Sequence, residues 1–283
     1  MAGIDSDVEA GREVAAEVLN KVVGRVSWIT LNRPAVHNAM TGGQRERVIA
    51  LLEEASESIG IGAVVIAGTG EGFCSGADLR SGRNGGMVRP AEAPERTMGE
   101  VARMIRHGAQ RLIGAVLDCE KPVVAAVNGT AAGLGAHLAF ACDLVIASEG
   151  ARFIEVFVRR GIAPDAGGAY LLPRLVGLQR AKEMVFFGDD LTAREAARLG
   201  MVNRVVAPED LEQVAGEWAT RLAAGPTKAI GIAKWLLNRS LDSDRATAFE
   251  EEAMAQELVT STADMAEGMS AFAERRKPRF RGW

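Results

Sequence analysis

A glycine-punctuated stretch at residues 128–168, NGTAAGLGAHLAFACDLVIASEGARFIEVFVRRGIAPDAGG, constrains this chain more than any other segment. The apolar run VVAAV at residues 123–127 feeds into it and stops at Asn128-Gly129. An uninterrupted apolar run of that length, closed by a turn signal, reads as a buried strand. Small residues then lead into an apolar segment from Leu134, and a second glycine-rich turn at 163–168 holds Pro164 and Asp165. Glycine lets a backbone approach a ligand closely. A helix opening at such a turn points unpaired N–H groups, and the positive end of its dipole, at whatever sits there. Such a place suits developing negative charge, and the side chains around it decide whether chemistry follows.

The flanking sequence predicts strands alternating with helices through about residue 207, then helices alone. Residues 21–31 carry alternating β-branched and aromatic positions and read as one strand ending at Arg33-Pro34. Thr41 caps a helix carrying Val48, Leu51, Leu52 and Ala55. Residues 63–67 form a strand, and 68–76 a turn. Thr97 and Glu100 have capping-box spacing, and the helix after them is one amphipathic unit whose stripe from Val101 and Met104 to Leu117 faces the core. Further strands fall at 144–147, 152–154 and 202–206. Helices fall at 170–176, 181–187 and 192–199, with Thr192 as a cap. Residues 1–20 read as a frayed tail or a short helix. The arginine-rich, Gly/Pro-rich stretch at 80–96 is either a solvated loop or a lid over a ligand. This element order is that of an α/β core followed by a helical subdomain.

Composition narrows the class. A net charge of −4 gives no global attraction to nucleic acid or to an anionic membrane. Apolar runs fall short of the ~20 residues of a membrane helix. The acidic N-terminal sequence resembles neither a secretory signal nor a transit peptide. Three widely spaced cysteines, Cys74, Cys119 and Cys142, form no zinc pattern and no disulfide framework, which points to a reducing cytoplasm. Walker, GxGxxG-after-strand, HExxH and GxSxG signatures are missing.

Six pieces, in order, carry a resemblance: ITLNRPAVHNAM at 29–40, GFCSGADL at 72–79, KPVVAAVNGTAAGLGAHLAFACD at 121–143, GIAPDAGG at 161–168, LLPRLVG at 171–177 and EGMSAFAERRKPRF at 267–280. Together they resemble the enoyl-CoA hydratase/isomerase family, the crotonase superfamily, across residues 21–281. The resemblance implies an α/β fold with a crotonase-like ββα spiral core and a C-terminal helical subdomain. It divides the chain into an N-terminal tail at 1–20, a spiral core at 21–210 and a helical trimerisation region at 211–283. It further implies an acyl-CoA thioester as substrate, no resident cofactor or metal, and assembly as a homotrimer or a dimer of trimers.

Carried over by position, the family's two backbone donors to the thioester oxygen belong to Ala77 and Leu134. Leu134 replaces a glycine common in hydratases, but a backbone N–H survives any residue except proline. Asp78 and Leu79 match positions near the adenine of CoA, and Arg275 and Lys277 match a region that contacts CoA phosphates.

The departures bear on the reaction. Hydratases of the family use two glutamates, and the matching positions here are His137 and Phe157. Phenylalanine does no acid–base chemistry and instead shapes the acyl pocket. His137 is either a packed core histidine or a proton-transfer group with a suitable unperturbed pKa. Glu155, two residues before Phe157, would share its face on a strand and is a candidate displaced carboxylate. Asp165 stands where certain isomerases of the family place an aspartate; its alternative role is a cap for the following helix. His37 and Asn38 read as structural, His107 as solvated, and Cys119 and Cys142 as core. The leading expectation is an isomerase using Asp165 as base and acid. A hydratase using His137 and a catalytically silent acyl-CoA binder are the alternatives.

Overall fold

The computed structural model describes residues 14, 16–80, 92, 94 and 97–283. Most of the expected loop or lid at 80–96, and most of the expected N-terminal tail, lie outside the described residues.

Two sheets form the core. The larger has the order β1 (Val18–Val23), β2 (Val26–Leu31), β3 (Ala63–Gly68), β5 (Val123–Val127), β7 (Leu144–Ser148), β10 (Arg204–Val206). Strands β2, β3, β5, β7 and β10 run parallel, while β1 pairs antiparallel with β2. The single strand expected at 21–31 is therefore a hairpin. Gly24 takes φ +60° and turns the chain, so that Val23 faces Val26. The smaller sheet has the order β4 (Gly72–Cys74), β6 (Thr130–Ala132), β8 (Arg152–Ile154), β9 (Asp190–Thr192). The stretch 68–76, expected as a turn throughout, thus contributes a short strand.

The chain repeats one unit: a long strand in the large sheet, a short strand in the small one, then helix. β3–β4 leads to helices α2 (Glu100–His107) and α3 (Ala109–Asp118). β5–β6 leads to α4 (Leu134–Ala141), and β7–β8 to α5 (Gly168–Phe187). This is the expected ββα spiral. The centre of the large sheet is covered on both faces, so β3 and β5 are apolar without interruption. Val64, Ile66, Val123, Ala125 and Val127 join one core cluster; Ala63, Val65, Val124 and Ala126 join the other, the period-2 alternation of a strand.

Thr41 caps α1 (Gly42–Glu57) through a reciprocal pair with Gln44, and Thr192 caps α6 (Ala193–Arg198) through Glu195. The helix expected after Thr97 is broken at Gly108 (φ −109°, ψ −95°). The break turns α2 away from the core: Val101 and Met104 are exposed, whereas Leu112, Ile113 and Val116 of α3 are buried. Glu100 accepts from the Thr97 N–H and hydroxyl, but it is the first helical residue, with Gly99 at the cap. The two helices expected at 170–176 and 181–187 are both present within α5, separated at Gly177, whose backbone is not helical (φ 75°, ψ 160°).

Four helices complete the chain: α7 (Leu211–Ala223), α8 (Thr227–Arg239), α9 (Arg245–Thr260) and α10 (Ala263–Ala273). Helix α7 packs on β3 and β5. Lys234 of α8 reaches into the core, pairing with Asp143 at 2.9 Å and donating to the Val116 carbonyl at 2.8 Å and the Lys121 carbonyl at 3.3 Å. Among the described residues, no helix is long and apolar enough to cross a membrane.

Candidate active site

The three parallel strands of the small sheet end side by side. Gly72 pairs with Thr130 and Thr130 with Arg152; Cys74 pairs with Ala131 and Ala131 with Phe153. Beyond these strands come Gly76-Ala77, Gly133-Leu134, and Glu155 to Phe157, so three remote parts of the sequence meet at one edge.

The backbone at Ala77 is held by a parallel bridge. The Met40 N–H donates to the Gly76 carbonyl at 2.8 Å, and the Asp78 N–H donates to the Met40 carbonyl at 3.0 Å. In such a bridge the residue between the two bonds turns its own N–H to the opposite side. Leu134 is the first residue of α4, where helical N–H groups have no intrahelical partner. Among the described residues, no backbone carbonyl takes the N–H of Ala77 or of Leu134. The two segments touch: a β-carbon on Gly76 would lie 3.8 Å from the Leu134 nitrogen, and one on Gly135 only 2.0 Å from the Cys74 carbonyl oxygen. Gly135 is thus required by close approach.

His137, one turn into α4, is wholly buried. Its Nε2 lies 3.1 Å and 3.0 Å from the two carboxylate oxygens of Glu155, itself 2% exposed. Phe157 stacks on the imidazole, with ring centroids 5.3 Å apart and planes 13° apart. Glu155 and Phe157 therefore do converge, as strand alternation would predict. They do so from irregular backbone, because β8 ends at Ile154. The sequence raised Glu155 as a displaced carboxylate but carried no sign that it pairs with His137. The Nδ1 of His137 has no hydrogen-bond partner among the described residues.

Asp165 is half-buried in the turn before α5. It is not the helix cap: that position is Gly167, in the left-handed region, and no side chain caps the helix. The Asp165 carbonyl instead accepts from the Gly168 N–H at 3.0 Å. Burial pushes the Asp165 carboxyl above the usual range; His137 and Arg45 pull it back, and Glu155 adds to the rise. Arg45, in the first turn of α1, is a participant that no sequence motif marks. Its guanidinium is partly buried, which lowers its pKa, and its Nε has no hydrogen-bond partner among the described residues. A half-buried carboxylate of raised proton affinity can take and return a proton, and unpaired backbone donors can hold the negative charge that collects elsewhere.

The remaining expected positions lie around this centre. The Asp78 carboxylate accepts from Arg33 at 3.0 Å and from the Arg80 N–H at 3.0 Å, and the Arg80 bond is the main cause of its lowered pKa. Leu79 is exposed. Arg275 (φ 55°) and Lys277 follow α10, exposed; among the described residues they make no ion pair and touch neither Asp78 nor Leu79 through a hydrogen bond. The intervening Arg276 is tied to Glu267 and Glu274. Cys74 is wholly buried, which pushes its thiol up to about 11 and leaves it unreactive. Asn38 is structural as expected: it accepts from the Arg33 N–H and donates to the carbonyls of Thr69 and Gly72. His107 is exposed, and Cys119 and Cys142 are buried.

Comparison with known proteins points to one family. The family model described as enoyl-CoA hydratase/isomerase matches residues 23–282. A 1,2-epoxyphenylacetyl-CoA isomerase of Escherichia coli K12 is 34% identical over 94% of this chain and 98% of its own length. A short-chain-enoyl-CoA hydratase of Clostridium acetobutylicum is 37% identical over 92% and 97%. The crystal structure of an enoyl-CoA hydratase/isomerase from Cupriavidus metallidurans CH34 superposes with a TM-score of 0.84 at 37% identity, covering 94% of this chain and 97% of that one.

Proposed function

The chain belongs to the enoyl-CoA hydratase/isomerase family and is an acyl-CoA enzyme of hydratase or isomerase type, and from that premise we propose that it is an isomerase working through a thioester enolate with Asp165 as its acid–base group. The observation that carries this reading is the contrast between two side chains. Asp165 is half-buried, reachable and of raised proton affinity, whereas His137 is sealed in and its Nε2 is committed to Glu155.

In the proposed reaction the Asp165 carboxylate removes a proton from the carbon beside the thioester. The C–H electron pair moves into the carbonyl, and the Ala77 and Leu134 N–H groups hold the resulting oxyanion. The Asp165 carboxylic acid then returns the proton to the γ-carbon, so the double bond shifts and nothing else is gained or lost. Two such donors supply several kcal/mol, since removal of one costs about 3 kcal/mol in comparable sites. Phe157 lines the acyl side. The backbone of Asp78 and exposed Leu79 lie along the CoA side, and Arg275 and Lys277 have cationic heads left for phosphates. The scheme uses only protein groups and the thioester, with no resident cofactor. The same reading includes a cytoplasmic location, supported by three buried free thiols that a reducing compartment would keep reduced.

The same reading includes assembly as trimers or paired trimers. Exposed Phe249, Leu258, Met269 and Phe272 on α9 and α10 support the C-terminal helices as the self-association surface. Sedimentation at three or six times the 30.0 kDa chain mass is expected.

The test is turnover of 3-enoyl-CoA and 2-enoyl-CoA substrates in deuterated, 18O-labelled water. Deuterium incorporation with a shifted double bond and no 18O supports the isomerase. An 18O-labelled 3-hydroxyacyl product assigns the enzyme to hydration. Binding of acyl-CoA with neither label entering and no shift of the double bond would assign a silent binder.

A further inference from the structure

The scheme above leaves a second carboxylate and an imidazole in direct contact, both removed from solvent, with no task. Glu155 and His137 are 2% and 0% exposed. Burying two titratable groups carries a desolvation penalty that packing alone would avoid with apolar side chains.

The geometry fixes where the shared hydrogen sits. The two oxygens of Glu155 lie 3.0 Å and 3.1 Å from the same nitrogen. With Glu155 as a carboxylate, which only accepts, near-equal distances fit one N–H shared between two oxygens, an arrangement that puts the hydrogen on Nε2. Two further contacts hold the ring. Phe157 stacks on it, and Gly168 covers its Cε1–Nε2 edge so closely that a β-carbon there would lie 2.2 Å from Cε1. Nδ1 is then the one ring atom left to exchange a proton. It is also a buried polar atom without a partner among the described residues, the kind of exception that calls for a ligand or a catalytic event. The turn carrying Asp165 closes over the same ring: Gly168, three residues on, rests against His137.

We infer that Glu155 is a positioning residue for the proton transfer: it locks His137 as the Nε2–H form and so reserves the Nδ1 lone pair for the proton that Asp165 carries. The inference rests on the proposed role of Asp165. When Asp165 takes the substrate proton it becomes a neutral acid with an O–H to place in a half-buried site. The Nδ1 lone pair accepts a hydrogen bond from that O–H, steadying the acid until it returns its proton to the γ-carbon. No atom is consumed, and the imidazole and Glu155 end as they began. A carboxylate orienting a histidine in this way is a general device for choosing which nitrogen does the work.

The test has two independent readouts. The first is 15N NMR of the imidazole, tractable because the chain has three histidines, and His37→Asn and His107→Gln leave one signal set. Wild type is expected to show protonated Nε2 and unprotonated Nδ1. Glu155→Gln, whose amide can donate to Nε2, is expected to populate the Nδ1–H form. The second is deuterium exchange beside the thioester: Glu155→Gln is expected to slow it at least tenfold with acyl-CoA affinity within twofold, and Glu155→Asp to recover part of the loss. Glu155→Gln with the wild-type tautomer and wild-type exchange would overturn the inference. So would a folded, fully active His137→Asn/Glu155→Gln double variant, which keeps a hydrogen-bonded pair without a base and serves if the single variant does not fold. Wild type without any exchange would remove the role of Asp165, while the NMR readout would still decide the tautomer.

Discussion

The Cα of Gly168 rests on the edge of the His137 imidazole: a β-carbon added to Gly168 would lie 2.2 Å from Cε1 and 2.3 Å from Nε2. The start of helix α5 and the buried histidine are therefore one packing unit. Gly168→Ala must displace the ring, and with it the hydrogen bond to Glu155. A destabilisation of about 1–3 kcal/mol is expected from overpacking, read by urea unfolding, together with loss of the single wild-type imidazole tautomer.

Asp165→Asn should separate activity from stability. Exchange beside the thioester is expected to fall at least ~100-fold, the range of a lost acid–base group. Stability should move the other way. Burial raises the Asp165 carboxyl, so its contribution to folding is most favourable below the unfolded value of about 3.9 and declines as pH rises through the folded one. At pH 7 the ionised, partly desolvated carboxylate opposes folding. Asparagine removes that charge, so the melting temperature at pH 7 should rise by about 1–2 °C. The gain should vanish below about pH 3.9, where Asp165 is protonated in both states. A gain that persists unchanged in acid would contradict the assignment.

Arg45 lowers the Asp165 carboxyl from the side opposite to Glu155's effect. Arg45→Met should raise the pH at which Asp165 ionises. The acidic limb of the exchange-rate profile is then expected to move to higher pH, with the plateau above it kept within a fewfold. A limb that stays in place would show that Arg45 acts on some other group.

Leu134 offers a clean removal of a backbone donor. Proline is well tolerated as the first residue of a helix, where its missing N–H has no intrahelical partner. Leu134→Pro should leave the circular dichroism spectrum intact while cutting kcat about 10²–10³-fold. Leu134→Ala, which keeps the N–H, should stay within about tenfold of wild type.

The ion pair between Lys234 and Asp143 anchors α8 to the core. Burial dominates the raised Asp143 carboxyl even with Lys234 beside it. Lys234→Met would strand that carboxylate and leave the Val116 and Lys121 carbonyls without their donor. A loss of about 3–5 kcal/mol is expected, measured as a lower urea midpoint.

What the sequence reveals and what it hides follow one division. Local chemistry is legible: Thr41 and Thr192 cap the helices they precede, and the 123–127 run is a wholly buried strand. The proposed backbone donors at Ala77 and Leu134 are legible only through the family resemblance; each follows a glycine of positive φ, Gly76 and Gly133. The hairpin at Gly24 and the break at Gly108 were harder to see, since each is a single glycine inside an otherwise regular apolar pattern, where tertiary packing decides between tolerance and a turn. Tertiary pairings were not legible at all. Glu155 is eighteen residues from His137 and reaches it from irregular backbone, and Arg45 approaches Asp165 from a distant helix. Nothing in a one-dimensional pattern encodes either meeting.

The side-by-side endings of β4, β6 and β8 have a consequence for descent with modification. Neighbouring parallel strands stand about 4.8 Å apart whatever side chains they bear, so the backbone acts as a ruler that single-codon changes cannot recalibrate. At Ala77 and Leu134, nineteen of the twenty amino acids keep the amide hydrogen proposed to polarise the thioester. At Asp165, His137, Glu155 and Phe157, almost any change rewrites the proton chemistry. One half of the site is thus inherited nearly unalterably while the other is open to drift, so a lineage carrying this scaffold can migrate between acyl-CoA reactions without ever passing through an ancestor that lost its grip on the enolate.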